Sequence, residues 1–460
     1  MSINVFKEIR DFQAAATAIL VMTFITSWLL SLSLGMTIVG AQASKTEAGE
    51  QFSALGGLQI ALTCLSVLLC LPSLVKIAVS RDSRHIALWQ VIGASPSQAR
   101  RRYIAISSFS AFLGSATGGL LAFVSWPLFG RIIQRTGLLL LPALSDPLSY
   151  WAVIFGGLVS FLVLTLSMIS GTRKMKEIEP VEAVSSTPES FATKNRFRYL
   201  LSLVLVLGVI AVYIAIAATP PMTDMEQIGG LLSSYWGTAL VLLLAYGISD
   251  HLLITPVVRG IGLLPLFNHL DSWFIASTSA KRRSTLSTSM ITPLVVAGAS
   301  VGSIFGMVNQ TKNIVLSLGA SESDLHVSPT SQIILIFGAP VIISAFSGLL
   351  SVYLTNEWRK HDIALLQTLG STISTIRTAA ILECFIYFVS SVLISTLIIG
   401  INSLFVGFAF SRGPVPGASP VWFGSEMYVL LIIGFSLLSS AVVIPAIAES
   451  DDLNVSSISK

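Results

Sequence analysis

The chain has 460 residues, 53% of them hydrophobic and 11% charged, with a mean hydropathy of +0.81. A soluble fold covers its surface with about a quarter charged residues, so most of this exterior must face something other than water. That excludes a soluble enzyme and predicts an all-α polytopic membrane protein. The net charge of +4 takes its meaning from where the cations fall, and nucleic acid is not an expected partner. Cys64, Cys70 and Cys384 lie in apolar stretches without a CxxC pair, so neither a disulfide framework nor a metal site is expected.

A membrane-crossing helix needs about 20 mostly apolar residues. Ten stretches qualify: 14–38, 55–79, 103–129, 151–169, 199–218, 228–248, 286–308, 333–354, 379–399 and 427–444. The first ends near Ala41, Gln42 and Ala43, which looks like a signal-peptidase site. Its apolar run of about 25 residues exceeds the ~7–15 of a signal core, so it is read as a retained helix. Ten spans put both termini on one side. With the amino terminus inside, 22 of the 27 Lys and Arg fall on inner segments, and only Lys45, Arg131, Arg135, Lys312 and Arg412 on outer ones. This asymmetry fits the positive-inside rule and predicts cytoplasmic termini. The longer polar segments, 170–198, 249–285 and the stretches around Gly93 and Gly370, are then cytoplasmic and offer docking surface to a soluble partner.

Two of those stretches match. RHIALWQVIGASPSQARRR at 84–102 aligns with HDIALLQTLGSTISTIR at 361–377 under a shift of 277, pairing Ile86 with Ile363, Ala87 with Ala364, Leu88 with Leu365 and Gln90 with Gln367. The same shift pairs Gly93 with Gly370, Ser97 with Ser374 and Arg100 with Arg377. Applied to the starts of spans one to four, it gives 291, 332, 380 and 428, close to the starts of spans seven to ten at 286, 333, 379 and 427. Identity and spacing together imply a parallel duplication of four spans, with spans five and six as an even-numbered linker that keeps both repeats in one orientation.

Within the repeated segment, Ile86, Ala87, Leu88 and Val91 cluster toward one face of a short helix, with Arg84, His85 and Gln90 elsewhere. Gly93 can take the left-handed conformation that ends a helix, and Ser95 and Ser97 are candidate caps for the next. Arg100, Arg101 and Arg102 are placed to meet phosphate headgroups. A lone element of this kind could simply rest on the membrane surface. Its occurrence twice favours a matched pair of docking elements for a two-fold symmetric partner.

Charged residues, then IALWQVIGAS or IALLQTLGST, then a basic residue before the next span: this pattern resembles the FtsX/MacB-type ABC transporter permease family, in a duplicated ten-span form. RKMKEIEPVEAV at 173–184, with Pro180, Glu182 and Ala183, resembles the family's closing segment. The resemblance implies a first permease repeat at 1–185 with a coupling helix about 81–100, a linker at 186–270, and a second repeat at 271–460 with a coupling helix about 358–377. It implies an ABC ATPase homodimer at the cytoplasmic face, touched through Arg84, Ile86, Ala87, Leu88 and Gly93 in one half and His361, Ile363, Ala364, Leu365 and Gly370 in the other. It also implies a bacterial cytoplasmic membrane. Two departures stand out. The second closing segment is degenerate around Pro445, and loops 39–54 and 309–332 are too short for the large extracytoplasmic domain usual in the family.

No GxxxxGK[ST] occurs in the chain, so ATP and Mg are expected in the partner ATPase and no cofactor in this chain. The function so implied is the non-catalytic membrane subunit of an ABC transporter. It would export or extract an amphipathic or lipid-like substrate (a hydrophobic peptide, a lipid or a lipoprotein) that enters from the bilayer, with room for an extracellular or membrane-anchored accessory protein. The alternative is a mechanotransmission subunit that acts on an extracellular partner such as a cell-wall hydrolase. An ion-coupled transporter would want ionisable groups at mid-membrane in both halves, and Glu383 alone lies within a span. Intramembrane acids are costly, which leaves Glu383 either packed or snorkelling, with Arg377 as its candidate partner, or functional in substrate handling or coupling. Asp250 and His251 are expected to be solvated or paired at the membrane edge. Gly298, Gly302 and Gly306, and the pair Gly114 and Gly118, are small-residue ladders for close helix packing, static or moving.

Overall fold

Inside a bilayer every backbone N–H and C=O must find its partner within the protein, and a helix does this with local bonds alone. The computed structural model meets that demand throughout. It describes residues 12–43, 47–135, 147–172, 196–221, 225–263, 271–282, 284–318, 329–416, 419–422, 424–437 and 439–440, and among these there is no strand. In chain order the helices are α1 (Gln13–Gln42), α2 (Glu47–Arg81), α3 (Ser83–Val91), α4 (Pro96–Arg135), α5 (Tyr150–Gly171), α6 (Arg196–Ala217) and α7 (Met225–Ile248). Then come α8 (Asp250–Ile261), α9 (Asp271–Arg282), α10 (Ser284–Ser317), α11 (Pro329–Thr368), α12 (Ile373–Arg412) and α13 (Glu426–Leu437).

Nine of these helices are long and apolar enough to cross a membrane, which makes this a multi-pass membrane protein. The tenth expected span appears as α13, described only to Leu437, and its remainder lies outside the described residues, as does the closing segment at 173–184. The helices run further than the hydropathy windows. Each of α4 and α12 has 40 residues, about 60 Å at 1.5 Å per residue, roughly twice the hydrocarbon thickness. α4 and α12 begin and end 277 positions apart, and so do the ends of α3 and α11. The second of the two matched segments differs from the first in being the end of the unbroken α11. At the corresponding place the first half has a turn at Asp82. Asp is a poor helix former that competes for backbone bonds, whereas Arg359, 277 positions on, is a good one.

The described residues fall into two compact units, one within 1–191 and 334–359, the other within 192–333 and 360–460. In the first, α1 is the inner helix, packed against α2, α4 and α5. Lipid tails are as apolar as the side chains, so close approach and hydrogen bonds hold such a bundle together. Gly114 and Gly118 of α4 sit on the α1 backbone: a Cβ at Gly114 would meet the Leu20 carbonyl at 2.5 Å, and one at Gly118 would overlap the Phe24 carbonyl. Ser27 Oγ donates to the Ser115 carbonyl at 2.7 Å, and Trp28 Nε1 donates to Ser125 Oγ at 2.9 Å. In the second unit α12 takes the inner place, against α10, α9, α8, α7 and α6. Here Tyr213 donates to Asn402 Oδ1 at 2.7 Å, and Asn402 Nδ2 donates to the Tyr235 carbonyl at 3.4 Å, fastening α6 and α7 to α12. Gly298 faces Leu431, and Gly302 faces Met427 and Ile399; Gly306 is buried in α10. The contacts of Gly114 and Gly118 stay within the first unit, and those of Gly298 and Gly302 within the second.

Gly118→Ala should force α4 off α1 and cost about 1–3 kcal/mol, seen as a lower melting temperature of the detergent-solubilised protein. Gly208, with nothing within 4 Å of a built Cβ, is the control: Gly208→Ala should leave the melting temperature unchanged or raise it.

Candidate functional site: a pair of helix elbows

The two matched segments fold into the same turn, atom by atom. After α3, Gly93 N–H donates to the Gln90 carbonyl at 3.0 Å and Ala94 N–H to the Trp89 carbonyl at 2.9 Å. After α11, Gly370 N–H donates to the Gln367 carbonyl and Ser371 N–H to the Leu366 carbonyl, both at 3.0 Å. This double closure satisfies carbonyls left open at a helix end and needs a left-handed residue just beyond it. Gly93 has φ +102° and Gly370 φ +86°; among the described residues no other glycine, and no residue with a side chain, has a positive φ. The next helix is capped alike. Gln98 N–H donates to Ser95 Oγ at 3.3 Å, and Thr375 N–H donates to Thr372 Oγ1 at 3.3 Å. In the first elbow Gln98 also returns a bond, accepting from Ser95 N–H at 3.0 Å, which closes a capping box. Ser97, the other expected cap, reaches only the Ser95 hydroxyl.

What each elbow shows to its surroundings also matches. Leu88 is 51% exposed and Ile92 83%; their counterparts Leu365 and Leu369 are 49% and 81% exposed. Spaced four apart, each pair lies on one face of its helix. Ile86 and Ala87, expected at a partner surface, are buried in this chain's own bundle, whereas Ile363 is half-buried and Ala364 exposed. Sequence periodicity grouped Ile86 with Leu88 and missed Ile92 and Leu369, whose signal is their position immediately before the glycine. The side chains of Arg84 and His361 lie outside the described residues.

The first elbow is pinned from behind. Trp89 packs edge-on against Phe12 at 5.1 Å between ring centroids, Phe12 packs against Tyr103 at 5.7 Å, and the Arg102 guanidinium sits 5.8 Å over the Trp89 ring, within cation–π range. Arg100 is turned inward and donates to the Ile169 carbonyl at 3.1 Å and to Thr172 Oγ1 at 3.3 Å. A cation there meets the negative end of the α5 dipole. The headgroup contact expected of Arg100 is therefore replaced by a tie to α5; Arg101 is exposed. The second elbow has Leu366, Ala379 and Ala380 where the first has Trp89, Arg102 and Tyr103, so it carries no such clamp.

Glu383 is buried on α12 and accepts a 2.6 Å hydrogen bond from the Tyr387 hydroxyl one turn away. That is the geometry of a packed polar pair. Asp250 is also buried, its Oδ1 accepting from the His251 amide at 2.7 Å. Among the described residues no three His, Cys, Asp or Glu side chains gather as a metal site.

Residues 58–176, covering most of α2, the first elbow, α4 and α5, match the family model described as FtsX-like permease C-terminal. This stretch is similar to an FtsX-like permease domain. FtsX-like permeases are in general non-catalytic membrane subunits and typically work with an ABC ATPase. No curated protein matches the chain as a whole.

Two substitutions check the geometry of the site. Gly93→Ala or Gly370→Ala should cost about 1–2 kcal/mol locally, because a Cβ penalises the left-handed turn. Amide exchange at residues 88–95 or 365–372 should then rise by about tenfold while the spans stay protected. Glu383→Gln should keep the Tyr387 bond and the melting temperature, while Glu383→Leu strands the hydroxyl at a cost of about 1–3 kcal/mol, read as a lower melting temperature.

Proposed function

We propose that this chain is the membrane subunit of an ATP-driven ABC transporter, with two FtsX-like repeats of four spans and a two-span linker. The observation that carries the reading is the twin elbow. The same left-handed glycine, the same cap and the same exposed apolar pair occur 277 residues apart, and two like surfaces suit a two-fold symmetric partner. That partner is an ABC ATPase homodimer, which supplies the nucleotide site absent from this sequence. The positive-inside distribution supports cytoplasmic elbows and termini, and the family resemblance suggests a bacterial membrane. Leu88 and Ile92 in one half, and Leu365 and Leu369 in the other, are the apolar anchors of the contact. Closure of the ATPase dimer on ATP pushes the elbows, and the continuous helices α4, α11 and α12 carry the displacement into the membrane.

The substrate class follows from the outer face. The connections between helices assigned outside are short, the longest being 136–149, so a soluble cargo has no domain to receive it. An amphipathic or lipid-like molecule entering sideways from the bilayer suits such a surface, and a mechanical action on a bulky external partner suits it less. The test is co-purification. Leu88→Asp with Leu365→Asp, or Ile92→Asp with Leu369→Asp, should abolish capture of a co-expressed ABC ATPase that the wild type binds, while the melting temperature of the membrane subunit holds. Undiminished capture would sink the proposal.

A further inference from the structure

Between the sixth and seventh spans the chain carries chemistry that coupling to a motor does not use. α8 and α9 have 12 residues each, about 18 Å in length, too short to cross a hydrocarbon core of about 30 Å. Both are two-faced. Ile254, Val258 and Ile261 of α8, and Trp273 and Ala276 of α9, are buried in the bundle, while Leu252, Leu263 and Phe274 are exposed. Arg259 and Arg282 are exposed on the same two helices.

Where α8, α9 and the start of α10 meet, there is a shallow, open cleft. Its polar lining is Thr255, Arg259, Lys281 and Ser287, over a floor of Ile254 and Val258. The space enclosed in it holds about one water, so a larger group would rest across its mouth. Lys281 is half-buried and donates to the Gly262 carbonyl at 3.1 Å, which fixes the ammonium at the cleft. An ammonium has three donors, so two more remain for a ligand. The Thr255 hydroxyl pairs with the His251 imidazole, and Ser287 Oγ donates to the Ala280 carbonyl at 2.8 Å. The attraction therefore rests on the two cations. No carboxylate lines the cleft among the described residues, so their charge is not cancelled there.

We propose that the mouth of this cleft, at Arg259 and Lys281, holds the phosphate of an anionic phospholipid headgroup, with Leu252, Leu263 and Phe274 beside its acyl chains. A short amphipathic helix with cations next to exposed apolar side chains is the physical pattern of an element lying in the membrane interface. Each Lys or Arg at that depth strengthens binding to anionic lipid by about fivefold. The inner leaflet is the one the charge distribution assigns to this segment. Lipid is the favoured source over free phosphate because only lipid also covers the three apolar residues.

The experiment is native mass spectrometry of the purified chain, without its ATPase, in detergent with equal phosphatidylglycerol and phosphatidylcholine. The wild type should retain phosphatidylglycerol preferentially, and R259Q/K281Q should lose that preference by about tenfold or more. R259K/K281R should keep it. Because Lys281 also braces Gly262, R259Q alone, at an exposed side chain, must by itself lower the preference severalfold. An unchanged preference in R259Q and in the double variant would overturn the proposal, and so would a wild type indifferent to headgroup. Displacement of phosphatidylglycerol by millimolar inorganic phosphate at matched ionic strength would assign the cleft to a free anion and overturn it too. None of these outcomes depends on whether an ATPase binds the elbows.

Discussion

A helix that is to be pushed must end in a joint that is short, stiff and fully hydrogen-bonded, and here that joint depends on a residue without a Cβ. At Gly93 and Gly370 the chain reverses with positive φ, and the bonds that close the turn use up carbonyls of the helix behind it. A hydroxyl then caps the helix ahead. Four residues therefore separate two helices with little slack. Because α4 and α12 run without interruption from that cap for 40 residues, any displacement of an elbow is felt along a whole span. The exposed apolar pair beside each glycine would be an unexplained cost in a chain surrounded there by water. It becomes reasonable when a second protein covers it.

The bundles stand in a solvent that offers no hydrophobic drive between helices. The inner helices α1 and α12 carry serines, threonines and glycines where a soluble core would carry leucines. Backbone contacts at Gly114 and Gly118, and cross-helix bonds from Ser27 and Asn402, take over the task. The two elbows are alike in backbone and unlike in support. Phe12, Trp89, Tyr103 and Arg102 brace the first, and the second lacks their counterparts. The two elbows are therefore similar in exposed surface and different in what packs behind them.

Much of this was legible in the sequence. Apolar runs of about 20 residues located the nine spans, and a shift of 277 aligned the elbows down to the glycine. Span limits were less so: hydropathy marks the stretch that needs lipid, whereas caps such as Ser95 and Thr372 decide where a helix starts. The exposed face was misjudged for a related reason. Ile86 and Leu88 are equally apolar, and only packing separates a residue turned into the bundle from one turned out. The clamp on Trp89 depends on Phe12, 77 positions earlier, a pairing no local pattern carries. α8 and α9 escaped because their polar content reads as loop, although Ile254, Val258 and Ile261 recur at helical spacing.

The most direct measurement is the sidedness of the elbows. In a cysteine-free background, single cysteines at Ala94 and Ser371 would be exposed to a membrane-impermeant maleimide in sealed vesicles of known orientation. Both should label in inside-out vesicles and neither in right-side-out ones. Labelling of the two positions from opposite sides would contradict a pair of cytoplasmic levers and, with it, the shared motor.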